Sequence, residues 1–286
     1  MHLPAAFRRY LAVFTLAVAS AFATIPAGAQ SIDDLTEAVP DIPGKKWLDL
    51  LRQLFPGAVA SDPYPNRLKV HRIIAVRSLG FTSDQWMMCG EDWDVGGDFG
   101  VEAQSYRLAG KTRTVVLLKG GDDCADIAAL FDEKGKLVDA VNVKGERYTV
   151  MMIGEVRPLG RLGALLTVES GPEVTGKAGS DTAFILIRAG GFAAIGTVHR
   201  TNSRTCREEV GEGISIDVVP EGGPMARINV EQQRFIQQFA EDCKTKLDNE
   251  AGAIFKGYWR WDAAKGAYEP HLDELKTLAD WNEKHF

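Results

Sequence analysis

After residue 29 the sequence holds no apolar run approaching the roughly 20 residues that a membrane-spanning helix needs. Positive charge is also scarce. Residues 30–286 carry 31 basic and 39 acidic side chains, a net charge of −8. Sequence-independent binding of nucleic acid needs clustered Lys and Arg facing the phosphates, so no nucleic-acid partner is expected. There is no Cys-x-x-Cys, which removes a redox pair and a zinc knuckle. His-Glu-x-x-His, Gly-x-Ser-x-Gly, a phosphate-cradling P-loop and a dinucleotide glycine fingerprint are all missing, and no cofactor is indicated. The histidines after residue 29 are His71, His199, His271 and His285. None stands at ligand spacing from another, so no metal site is expected. A Ser nucleophile served by His71 or His199 stays open, because triads assemble from distant segments. No repeat of fixed period occurs, which speaks against a propeller.

Residues 1–29 read as a secretory signal. Arg8 and Arg9 are the positive leader, Tyr10–Ile25 is free of charge, and Ala27-Gly28-Ala29 is a small-x-small cleavage pattern. The expected mature chain is exported to a periplasmic or extracellular space and begins near Gln30. All four cysteines (Cys89, Cys124, Cys206, Cys243) lie beyond the cleavage pattern, and an even count in an oxidising compartment predicts disulfides. Four cysteines allow three pairings. The local one, Cys89–Cys124 with Cys206–Cys243, is expected.

Residues 30–286 read as one β-rich exported domain, with a candidate internal boundary near 171–180. Residues 30–43 look like a loose leader rich in Asp and Pro. Trp47, Leu50, Leu51, Leu54 and Phe55 then recur at helical spacing until Pro56-Gly57 stops them. Residues 68–76 read as a strand. From residue 101 onward, about a dozen short β-branched runs alternate with turn signals. Asp132-Glu133-Lys134-Gly135, Ala189-Gly190-Gly191 and Asp262–Gly266 are the clearest hairpins. The fold class is therefore mainly β, with antiparallel sheets arranged as a sandwich or barrel. A short N-terminal helix and a C-terminal helix over 271–284 complete it. Residues 231–247 stay open between helix and strand. Phe235, Ile236, Phe239, Ala240, Cys243 and Leu247 fit a helical period, yet strands flank the segment on both sides.

The most unusual stretch is 84–100, where acids, aromatics and glycines concentrate. Asp92, Asp94 and Asp98 fall at positions 1, 3 and 7 of a calcium loop, with Gly97 at position 6. The bidentate Glu of position 12 is missing, because Ala103 occupies that slot. Trp86 or Trp93 beside carboxylates would suit a sugar. The plainest reading is a connection between strands with its tryptophans packed beneath. This stretch is the candidate ligand loop all the same. Trp259 and Trp261 share a strand face and read as core. The functional expectation is a non-catalytic binding or interaction module of the cell envelope. The alternative is a secreted hydrolase, acting on carbohydrate, whose residues come from separate loops.

Overall fold

Thr114–Leu118 and Ile127–Phe131 show no polar alternation, which is the pattern of strands covered on both faces. The computed structural model bears this out. It describes residues 30–62, 64–70, 72–74, 76–79, 93–95, 101–118, 126–143, 149–171, 177–247 and 251–285.

The N-terminal part contributes β1 (Gln30–Ile32), α1 (Trp47–Leu51), β2 (Val59–Ala60), β3 (Leu68–Val70), β4 (Arg77–Ser78) and β5 (Trp93–Val95). Four longer strands follow: β6 (Val101–Leu108), β7 (Lys111–Leu118), β8 (Ile127–Phe131) and β9 (Leu137–Asn142). Among the described residues they form a six-stranded sheet in the order β1-β6-β7-β8-β9-β4, antiparallel except for the β4–β9 pair. β2, β3 and β5 form a separate small sheet.

The second large sheet contains β10 (Thr149–Ile153), β11 (Arg157–Pro158), β12 (Ala164–Gly171), β13 (Lys177–Arg188), β14 (Gly191–Arg204), β15 (Glu208–Val219), β16 (Arg227–Gln238), β17 (Ala251–Asp262) and β18 (Ala267–His271). These strands run antiparallel, with β11 beside β12. α2 (Asp273–His285) closes the chain. β12 and β13 pair with each other across 171–180, Ser170 facing Asp181.

Among the described residues, strand alternation sorts the apolar side chains into three cores. Val116, Leu118, Ala129 and Phe131 face the N-terminal segment, while Val115, Leu117, Ala128 and Leu130 face the second sheet. There they meet Leu166, Val168, Ile185 and Ile187, so the two large sheets form a sandwich. Leu165, Phe184 and Leu186 point the other way. They pack with Ile228, Val230, Trp259 and Tyr268, because the second sheet curls over on itself. Met225 bridges Gly160 across the open side of the curl, and the Ala226 N–H donates to the Leu159 carbonyl at 2.6 Å. Gly160 sits at φ +123°, and a Cβ there would stand 2.5 Å from the Pro224 carbonyl oxygen, so glycine is needed for this closure. Leu275 of α2, with Leu272 just before the helix, covers the interior of the curl. The mainly β, antiparallel expectation is thus met, with the two large sheets packed as a sandwich.

Three segments depart from the sequence reading, and 231–238, which it left open, is settled as strand. Residues 30–43 are not a loose leader, because β1 pairs with β6 and Leu35, Val39 and Ile42 are buried. Their apolar spacing is diluted by acids and prolines. Among the described residues of 68–76, strand is confined to β3. Farther on, Ile74 donates its N–H to the Leu54 carbonyl, outside any ladder. Residues 227–238 are strand, in unbroken register with β15 from Arg227–Val219 to Gln238–Glu208. α1 is helical only to Leu51. A tighter Leu54-to-Leu51 hydrogen bond still carries Leu54 and Phe55 into the core. Trp259 and Trp261 both belong to the curl's core, Trp259 against Phe184 at 4.4 Å between ring centroids.

Candidate functional site

Of the candidate ligand loop, only Trp93–Val95 falls among the described residues. Its backbone is β5, with Trp93 across from Val70 and Asp94 across from Lys69. Trp86, Asp92 and Asp98 lie outside the described residues, as do Cys89, Cys124 and His71. Cys206 and Cys243 are disulfide-bonded, with their Cα atoms 4.5 Å apart. They clip the 239–247 turn to the start of β15.

The structure gathers other groups instead. On the outer face of β16, β17 and β18, beside the first turn of α2, lies an open cleft of about 570 Å³. Tyr258 stands in its wall and stacks on His271, 4.5 Å between centroids and 18° between planes. Arg227 reaches the same ring from the β16 side at 5.4 Å. The Glu221 carboxylate holds both Arg227 and Arg260, at 3.1 and 3.0 Å. Lys256 is engaged twice. Its ammonium lies 2.8 Å from Glu231, and its backbone N–H donates to Glu274 at 2.8 Å. The Glu231 hydrogen bond raises the pKa of Lys256 and keeps it charged. Asn229 and Asp273 also line the cleft. The cleft therefore offers donors, acceptors and an aromatic ring together, the composition of a site for a polar ligand. Read from the sequence, Asp273 and Glu274 were ordinary first-turn helix acids. Only the packing of α2 against β17 brings Glu274 to a strand amide, that of Lys256.

A second cluster is buried. β14 and β15 pair only at Ser203–Val210 and Arg204–Glu209, then diverge. The gap is stitched by side chains. Glu212, 4% exposed, accepts the Thr201 N–H at 2.7 Å, the Gln232 side-chain amide at 2.8 Å and the Asn282 amide of α2 at 2.9 Å. Gln232 gives its other proton to the His199 carbonyl at 2.9 Å. Arg234 lies beside them, its guanidinium 3.9 Å from the Trp281 ring centroid. Burial lowers the Arg234 pKa, and the charges of Glu212 and Glu208 oppose that. Because this carboxylate accepts several donors near a cation, its burial is tolerable. The arrangement fastens strands and helix together.

On β14, His199 Nδ1 lies 2.8 Å from Asp181. That hydrogen bond raises the His199 pKa, and Glu212 adds to the effect. A carboxylate behind one ring nitrogen orients a base, and it is the nearest approach to catalytic geometry among the described residues.

No protein-family model, curated protein or solved structure matches the chain.

Proposed function

We propose that the protein is exported and acts as a non-catalytic binding module of the cell envelope, with the cleft at Arg227, Tyr258 and His271 as its ligand site. The observation that carries this reading is the cleft itself. It is wide and open, Arg227 is held by Glu221, and Glu231 and Glu274 are both engaged by Lys256. Such a lining recognises a polar ligand by complementary hydrogen bonds. Export is supported by the charge-free run Tyr10–Ile25 followed by the cleavage pattern Ala27-Gly28-Ala29. The Cys206–Cys243 bond fits an oxidising compartment.

The test is retention of the secreted protein on isolated, washed envelope, compared with Tyr258→Ala combined with Arg227→Ala. Wild-type protein is expected to sediment with the envelope and the double variant to stay in solution. Equal sedimentation removes the cleft from the account. Intact mass of the secreted protein checks the Gln30 start, and recovery of the uncleaved chain in the membrane fraction contradicts export. The hydrolase reading keeps one specific support, the His199–Asp181 pair. Turnover of ester or glycoside substrates that disappears in His199→Ala would favour it over the binding module.

A further inference from the structure

Phe235 is placed where a strand facing solvent does not need it. It points outward from β16 and is 42% exposed, while Gln232 and Arg234 of the same strand point inward. Its two cross-strand partners are both glycine, Gly211 on β15 and Gly252 on β17. A Cβ built on Gly211 would lie 2.5 and 2.7 Å from the two Cε atoms of the ring and closer still to Cζ. The ring therefore lies across Gly211, with the sheet beneath it. Among the described residues, a Cβ on Gly252 would meet the Arg234 carbonyl at 3.6 Å and nothing nearer, so packing there does not require glycine. At Gly213, next along the same face, a Cβ would meet nothing within 4 Å. Glycine weakens a strand interior, and it often marks a place where a ligand comes close. Here the glycines clear the space around one flat aromatic ring.

The rim of that space is polar. A pocket of about 270 Å³ runs from Phe235 over Gly211 to Asn202, Arg204 and Glu209. Asn202 uses its carbonyl oxygen on the Glu212 N–H, which leaves its amide to donate outward. Arg204 and Glu209 are cross-strand partners, so the rim carries one charge of each sign. A volume below the usual range for drug-sized ligands suits a single small ring. A pyranose has an apolar C–H face that gains dispersion and burial against an aromatic ring, and a belt of hydroxyls that need donors and acceptors at the edge.

We propose that Phe235 is the stacking platform of a carbohydrate subsite, which takes one uncharged pyranose of an oligosaccharide face-on, with Asn202, Arg204 and Glu209 meeting its hydroxyls. The subsite is separate from the Tyr258 cleft and does not depend on it.

The test is saturation-transfer NMR on the full chain with four probes: cellohexaose, chitohexaose, laminarihexaose and maltohexaose. Transfer to ring C–H protons of at least one probe is expected. Phe235→Ala should weaken that probe at least tenfold, and Phe235→Trp should retain it. Gly211→Ala keeps the phenyl group but pushes it off its seat, and should weaken the probe several-fold with an unchanged melting curve. Tyr258→Ala should leave it unaltered. No transfer to any of the four, or undiminished transfer in Phe235→Ala, overturns the proposal. Loss in Tyr258→Ala alone assigns the sugar to the cleft and refutes the Phe235 subsite, whereas loss in Phe235→Ala alone upholds the subsite whatever becomes of the cleft.

Discussion

Glu212 holds together three elements that the sheet ladder does not, and its removal has a calculable cost. Glu212→Ala strips the acceptor from the Thr201 N–H, from one proton of Gln232 and from the Asn282 amide of α2. An unmet buried donor costs about 1–3 kcal/mol, and removing one partner of a buried charged network costs about 3–5 kcal/mol. Solvent entering the shortened side chain's space relieves part of the first figure, so the second is the better guide. For a chain of this size 1 kcal/mol moves the midpoint by about 2–4 °C, which sets the expected fall at roughly 10 °C. Glu212→Gln should behave differently. Its oxygen can keep Thr201 and Gln232, and its new amide needs an acceptor. Asn282 has one, because Oδ1 has no hydrogen-bond partner among the described residues. Turning the Asn282 amide over restores the third bond, and the expected cost falls to about 1 kcal/mol. Denaturant melts of wild type, both variants and Glu212→Gln with Asn282→Asp decide the matter. The double variant returns a carboxylate to the neighbourhood of Arg234 and should recover part of the loss. Alanine costing less than about 1 kcal/mol, or glutamine costing as much as alanine, would refute the reasoning.

Three further outcomes follow from the same geometry. The folded pKa of His199 is raised, first by its hydrogen bond to Asp181, so its stabilising contribution is complete below about pH 6.5 and disappears as pH rises through the folded value. The imidazole is partly exposed and solvent screens the pair, so the contribution stays below about 1 kcal/mol; His199→Gln should flatten it, and Glu212→Gln should lower the His199 pKa in an NMR titration. Cys206 and Cys243 lie 37 residues apart, so their crosslink stabilises by up to about 4 kcal/mol by the chain-entropy argument, and a reductant that leaves the melting curve unchanged would contradict it. Calcium is expected to leave the melting temperature where chelator leaves it, and Asp94→Ala to be nearly neutral, since the 84–100 sequence lacks a full ligand set; a calcium-dependent rise that Asp94→Ala abolishes would make that loop a metal site.

The strands of the second half were legible because their inner positions are apolar, their outer positions polar and their turns built on Gly or Asp. Gly135 at φ +71°, with Asp132 accepting the Lys134 and Lys136 N–H groups at 2.9 Å, is what a sequence can announce. β16 was not legible, and the reason is physical. Up to Val230 it alternates as expected, with Ile228 and Val230 inside. Beyond that point Gln232 and Arg234 are buried and Phe235 is exposed. Each inversion breaks the period of 2, and the sum mimics the period of 3.6 that left 231–247 open between helix and strand. The inversions have separate causes. The inward polar pair serves the seam where β14 and β15 part, a long-range consequence of curvature that no local spacing reports. The outward phenyl answers to no contact that the interior needs. A strand that obeys its pattern reports the fold, and one that breaks it on both faces within four residues reports two demands beyond strand pairing. The buried demand is met within the chain by Glu212 and Asn282. The exposed one is not, and for that reason the search for a ligand belongs on the outer face of β16 as well as in the loop at 84–100.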